Sequence, residues 1–188
     1  MLLCGLAVAI SRAGPVIYRN ERVGLNGKKF DTLKFRSMYA DYSTGKQNKN
    51  NKAALAFENQ LIKKQNTKKG PLYKIENDPR ITKVGRFLRF TSLDEFPQLF
   101  NVLLGSMSLV GPRPHQPREV KEYKKHQLVV HAIRPGITGL AQISGRSDLT
   151  FEEEIRLDTL YLEQWSFLMD FVILLKTPFV LLKRRRAL

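Results

Sequence analysis

Two adjacent carboxylates, Asp94 and Glu95, stand where an apolar run begins, between the basic stretch Arg86–Arg89 and the turn Gly111–Pro114. Acid set among cations suits work on a phosphate ester or diphosphate held by a metal ion, with Asp94 as nucleophile and Glu95 as metal ligand. Both residues also have purely structural uses. Aspartate is a favoured helix N-cap, and Ser92 with Glu95 matches a capping box. If Asp94 caps the helix, Pro97 falls at its third position, where no intrahelical donor is lost. Capping and chemistry are compatible, because the N–H groups at a helix start attract phosphate oxygens.

Other candidates lie on either side. In Gly111-Pro112-Arg113-Pro114 two prolines fix the backbone around one arginine and aim a guanidinium, the group suited to bidentate phosphate contact. Arg134–Gly139 and Ser144-Gly145-Arg146 read as two glycine-containing turns, each with an arginine, and neither is a Walker loop because Gly-Lys-Ser/Thr is missing. Asp170 sits inside an apolar run and must find a cation, a metal or a donor. His115, His126 and His131 lack metal-ligand spacing and are expected at the surface. The single cysteine, Cys4, excludes an internal disulfide and a cysteine-based zinc cluster.

The 188 residues suffice for one domain with a real core. A net charge of +15 points to an anionic partner: nucleic acid, a phosphorylated substrate or acidic lipid. From Asp41 to Phe90 there are 12 Lys/Arg against four Asp/Glu, and Lys183–Arg186 adds four more cations. Met1–Ile10 is apolar but shorter than the roughly 20 residues of a membrane span, so it reads as the tail of a membrane segment, half of a re-entrant hairpin, or a buried core helix. No basic stretch precedes it, and no cleavable signal is expected.

Pro15–Arg19 and Lys29–Met38 are expected as strands of a hairpin turning at Asn26-Gly27. Period-two alternation puts Lys34 and Arg36 on one face, which a simple wet face would also explain. Residues 41–70 are rich in Asn, Lys and Gln and read as a mobile basic insert, with a helix at Ala53–Lys64 carrying Leu55, Ala56, Asn59 and Ile62. Glu76–Arg80 reads as a turn and Ile81–Phe90 as an amphipathic basic helix. The helix after Asp94 should stop at Gly105, Glu119–Val130 should be a polar helix, and Phe151–Gln164 a helix with an acidic first turn. The apolar stretch from Trp165 should break at Pro178. Asp170 and Lys176 disfavour a spanning helix, and terminal cations favour one lying in the membrane interface.

Taken together, Tyr18–Gly24, Lys34–Met38, Ser92–Leu99, Leu109–Pro114, Arg134–Gly139, Ser144–Arg146 and Asp158–Thr177 resemble the bacterial sugar transferases that act on polyprenyl phosphate, the monotopic phosphoglycosyl transferases. The resemblance covers the chain from Gly14 onward. It implies an α+β, predominantly helical fold with a short β-hairpin near the N-terminus and amphipathic interfacial helices. Residues 1–12 would be the remnant of an N-terminal re-entrant membrane helix and residues 13–188 the catalytic domain, at the cytoplasmic face of a bacterial inner membrane. It further implies that a nucleoside diphosphate sugar, usually a UDP-sugar, gives its sugar-1-phosphate to undecaprenyl or another polyprenyl phosphate and releases UMP. Asp94 would form the covalent phosphosugar and Glu95 would hold Mg²⁺. Lys34, Arg89, Arg113 and Arg146 would steady phosphate oxygens, Asp170 would support the site, and Pro112 and Pro114 would border the nucleotide. Anionic membrane lipids are the expected surroundings. The rival class is a basic nucleic-acid-binding protein; it would need stacking aromatics among its cations or a reader motif, and the sequence has neither, so no nucleic acid is expected.

Overall fold

A computed structural model describes residues 1–188 apart from 12, 46, 49, 68, 69, 76, 146, 147 and 186–188. The fold is α+β and predominantly helical. Strands β1 (Ile17–Val23) and β2 (Lys29–Phe35) pair as a hairpin. Its turn is the tight helical segment Leu25–Gly27, where Asn26 and Gly27 take φ values of 53° and 72°, the left-handed backbone that the Asn-Gly pair supplies cheaply. The expected alternating wet face is absent: Thr32 and Phe35 are the buried residues of β2, and Arg36, just past its end, is buried too.

The chain divides into two compact units. The first comprises Met1–Asn20, Asp31–Lys68 and Tyr73–Gln98. Its apolar core gathers Val8 of helix α1 (Leu2–Ile10), Phe35, and Leu88 of helix α3 (Lys83–Thr91), with Val16, Ile17, Val84 and Leu93 around them. Helix α1 buries only Val8 and leaves Leu2 and Leu3 92% and 82% exposed.

Helix α2 (Asn51–Gln65) forms where the sequence suggests, but on a different face. Ala54, Glu58 and Leu61 turn inward, while Leu55 is exposed. Glu58 goes inside because a cation waits there. Arg80 Nη1 donates to Glu58 Oε2 at 2.7 Å, and its other nitrogens fork onto Asp78 at 2.8 and 2.9 Å. Tyr73 and Thr44 hydroxyls also donate to Glu58. Burial by itself would raise the Asp78 carboxyl, but the Arg80 bonds outweigh it and hold it low. The start of the same segment is fastened by buried Arg36, whose Nε donates to the Pro15 carbonyl and whose Nη atoms donate to Ser43 and Gln47. Glu76, at the head of the expected turn, lies outside the described residues.

The second unit comprises Glu21–Phe30, Lys69–Leu72 and Leu99–Leu188. Helix α4 (Gln98–Leu103) runs into it and ends before Gly105, at φ 77° as the glycine suggests. Residues Arg134–Gly139 are more than a turn. Gly136–Thr138 form strand β4, parallel to β3 (Ser108–Val110), with Ser108 opposite Gly136 and Val110 opposite Thr138. Glu119–Val130 is not one helix: helix α5 (Pro117–Val120) is followed by a separate 3-10 segment at Lys125–Ala132. Gln127 causes the break. It turns inward, its Oε1 accepting from Lys124 N at 2.7 Å and its Nε2 donating to Glu152 at 3.0 Å.

Helix α6 (Leu140–Ser144) follows β4, and helix α7 (Phe151–Glu163) begins with a capping box between Thr150 and Glu153. One apolar cluster joins Leu72, Val130, Phe151 and Ile155; another joins Val110, Tyr161 and Ile173. Helix α8 (Phe167–Arg185) passes through Pro178 instead of breaking there. Proline costs it the hydrogen bond to the Leu174 carbonyl, on an exposed turn where that loss is tolerable. Among the described residues no helix is long and apolar enough to cross a membrane. Helix α8 nonetheless exposes Phe167, Leu168, Phe171, Leu175 and Phe179.

Candidate active site

In the first unit, the segment after β2 sets the site. Thr82 N donates to the Ser37 carbonyl and Tyr39 N to the Arg80 carbonyl, with a bridge between Met38 and Ile81. Thr82 then caps α3, its hydroxyl accepting from Gly85 N at 2.8 Å. Gly85 must be glycine, since a Cβ there would lie 1.9 Å from the Ser37 carbonyl oxygen. That close crossing puts Ser37 Oγ under Arg89, whose Nε donates to it at 2.8 Å.

Helix α3 stops at Ser92, which adopts left-handed backbone at φ 58°. Leu93–Glu95 then form one 3-10 turn, with Glu95 N donating to the Ser92 carbonyl. Neither expected cap exists: Asp94 lies inside this turn rather than at the start of α4, and Ser92 makes no side-chain cap. The reason is the left-handed Ser92, whose backbone is committed to ending α3. The Glu95 carboxylate instead accepts from Lys34 Nζ of β2 at 2.7 Å.

Asp94 is 8% exposed. Burial raises its carboxyl above the ordinary carboxylate range; Lys34 pulls it down, the Glu95 charge pushes it up and Arg89 pulls it down. Lys34, Arg89, Asp94 and Glu95 are thus brought together within one unit: a sheltered carboxylate with two cations and a second carboxylate about it. Such a group can present an oxygen nucleophile to an anionic centre whose charge the cations offset. The adjacent hard oxygen donors at 94 and 95 fit Mg²⁺, which takes one or two carboxylates and completes its shell with water and phosphate oxygens. Among the described residues no group of three or more His, Cys, Asp or Glu forms an all-protein cage.

The remaining candidates belong to the second unit, except that Arg146 lies outside the described residues. Gly111 N donates to the Thr138 carbonyl and Gly136 N to the Pro112 carbonyl, both at 2.9 Å, which lays the Pro112–Pro114 segment against β4. The donors that Asp170 needs are Tyr161, whose hydroxyl donates to Oδ1 at 2.7 Å, and Trp165, whose Nε1 donates to Oδ2 at 3.3 Å. Burial, reinforced by this bond to Asp170, raises the Tyr161 hydroxyl.

One buried group departs from expectation, and a second was not singled out by the sequence. His115 is buried, not superficial: Nδ1 meets the Tyr123 hydroxyl and Nε2 lies 3.3 Å from Glu154. Asp158 is 2% exposed, and burial and the Glu154 charge push its carboxyl up to about 8 against the pull of Arg113. A signal was present, since Glu154, Asp158 and Tyr161 recur at helical spacing on the face that also carries Phe151.

The family model described as bacterial sugar transferase matches residues 1–184. The chain belongs to the bacterial sugar transferase family. Among the relatives of this sugar transferase chain is the galactosyl transferase CpsE of Streptococcus agalactiae, 42% identical over 97% of the chain and 39% of the relative. The undecaprenyl-phosphate galactose phosphotransferase of Salmonella typhimurium is 44% identical over 93% of the chain and 35% of its own length. The UDP-glucose:undecaprenyl-phosphate glucose-1-phosphate transferase of Escherichia coli is 40% identical over 95% and 35%. The chain therefore spans less than two-fifths of these three relatives.

Proposed function

We propose that the chain transfers a sugar-1-phosphate from a UDP-sugar to undecaprenyl or another polyprenyl phosphate, releasing UMP. The observation that carries this reading is the sheltered Asp94 with Lys34, Arg89 and Glu95 about it. Family membership and the substrates in the relatives' names support it.

In the first step an Asp94 oxygen attacks the phosphorus that bears the sugar. The new bond joins that oxygen to phosphorus, the phosphoanhydride bond breaks, and UMP leaves with the bridging oxygen. In the second step an oxygen of the polyprenyl phosphate attacks the same phosphorus and frees Asp94. Splitting one transfer into two lets a single carboxylate serve both substrates. Lys34 and Arg89 offset charge on the phosphate oxygens, and Arg113 and Arg146 are assigned the same role, with Pro112 and Pro114 bordering the nucleotide and Asp170 supporting the site. Glu95 would hold Mg²⁺, which when bound neutralises charge on the diphosphate and the departing UMP.

The acceptor stays in its bilayer, so the enzyme must sit at the surface. Exposed apolar side chains on α1 and on α8 support placement at the cytoplasmic face of a bacterial inner membrane, residues 1–12 contributing the end of a re-entrant helix. The cations Lys183–Arg186 would face anionic lipids; Arg186 and the side chains of 183–185 lie outside the described structure. The test is UMP release across a panel of UDP-sugars with polyprenyl phosphate in detergent. Release should need both substrates for turnover, stop with EDTA and return with Mg²⁺. No release from any donor would refute the reading, and full activity in EDTA would refute the role of Glu95.

A further inference from the structure

The segment Lys34–Met38 gives Lys34 to the site and leaves its serine without a role. Ser37 is buried and held through its backbone. Its carbonyl accepts from Thr82 N at 3.1 Å, and Gly85 packs on that carbonyl so closely that a Cβ would lie 1.9 Å away. Before it in the chain, Arg36 N donates to the Val16 carbonyl at 2.8 Å; after it, Tyr39 N donates to the Arg80 carbonyl at 3.0 Å. With its backbone fixed, the serine offers its hydroxyl oxygen at one place, and Arg89 Nε donates to it at 2.8 Å.

The chain also brings Arg89 beside Asp94. The Arg89 carbonyl accepts from Ser92 N at 3.2 Å, and the Ser92 carbonyl accepts from Glu95 N at 3.3 Å, so the two residues lie on successive turns. Each feels the other's charge. Yet they form no ion pair: among the described residues the guanidinium bonds to Ser37 alone, and neither Nη atom has a partner. Arg89 also feels Asp78, but Arg80 takes both oxygens of that carboxylate. An arginine beside a carboxylate favours two parallel N–H···O bonds to it. Here one corner of the fork is tied to a neutral hydroxyl instead, and the arginine stays exposed.

We propose that Ser37 is a positioning residue, its hydroxyl tethering Arg89 through Nε so that the guanidinium does not close on Asp94 and the carboxylate keeps its oxygens for attack. The consequence for chemistry rests on the transferase reading; the tether does not. A hydroxyl suits the task because it accepts a hydrogen bond and carries no charge. An acid at this position would neutralise the arginine, and an alanine would release it to cover the Asp94 oxygens with N–H donors.

Two readouts test this on the whole chain. In NMR of the arginine side chains, exchange of the Arg89 Nε proton with water should quicken about tenfold in Ser37→Ala, which removes the acceptor, the scale of one hydrogen bond to a charged group. It should stay within about threefold in Ser37→Thr, which keeps the acceptor. First-turnover UMP release, from the most active donor of the UDP-sugar panel with Mg²⁺, should slow about tenfold at saturating donor in Ser37→Ala, while the half-saturating donor concentration stays within about threefold. Ser37→Thr should keep the parent's rate within about threefold. Unchanged exchange in Ser37→Ala overturns the tether. An unchanged rate in Ser37→Ala, a loss confined to the half-saturating concentration, or a Ser37→Thr variant as impaired as Ser37→Ala overturns the positioning role. A parent that releases no UMP from any donor refutes the transferase reading and the chemical consequence with it, while exchange at Arg89 still decides the tether.

Discussion

Lys34 Nζ donates to Glu95 Oε1 across 2.7 Å, linking a strand near the start of the chain to the turn that carries Asp94. The pair is 18% and 16% exposed at its side chains, so solvent screens it only in part. Its contribution is best isolated by a double-mutant cycle with Lys34→Ala and Glu95→Gln. The coupling in urea unfolding should be about 1 kcal/mol. Lys34→Ala alone should cost UMP release more than about tenfold, because it also removes a charge that offsets phosphate. Zero coupling together with unimpaired release would contradict the assignment.

Glu58 and Arg80 make a different kind of pair. Both are almost fully buried, and Arg80 also serves Asp78. Removing one partner strands a buried charge, so Glu58→Ala should destabilise the fold by about 3 kcal/mol in urea unfolding. Glu58→Gln, which keeps an acceptor, should cost less. A surface-like loss below about 0.5 kcal/mol would mean that α2 is not anchored through this residue.

Asp158 gives a pH signature. In the unfolded chain its carboxyl titrates near 3.8, and in the fold, under burial and the Glu154 charge and against the pull of Arg113, at about 8. The folded state therefore binds more protons between these values, and stability falls as pH rises through that window. Asp158→Asn removes the penalty. The Tm advantage of Asp158→Asn over the parent should grow from pH 5 to about 8 and level off above it. A constant difference across that range would contradict a raised carboxyl.

What the sequence reveals is mostly local. Asn26-Gly27 announces the hairpin, the spacing of Val84 and Leu88 announces α3, and Gly105 announces the end of α4. Some of its misreadings come from a partner distant along the chain, whereas the left-handed Ser92 and the inward Gln127 mislead locally. Glu95 fits a capping box until Lys34, 61 residues away, takes its carboxylate. His115 looks superficial until Glu154 is folded beside it. The helix read as carrying Leu55, Ala56, Asn59 and Ile62 turns Glu58 inward instead, because Arg80 meets it there. Within the candidate site, Lys34, Arg89, Asp94 and Glu95 were legible from charge and resemblance. Asp158 left only a weak trace, its helical spacing with Glu154 and Tyr161 on the face of Phe151, which marks a buried position and not a partner.

The proposed mechanism requires Asp94 to become covalently bonded to the phosphorus of a sugar phosphate. Intact-mass spectrometry of the protein incubated with a UDP-sugar and Mg²⁺, with no polyprenyl phosphate, tests it directly. The parent should gain the mass of one sugar phosphate and release one equivalent of UMP, and Asp94→Asn should do neither. A parent that turns over UDP-sugar with acceptor but never carries the added mass, or an Asp94→Asn variant that carries it, would contradict the mechanism.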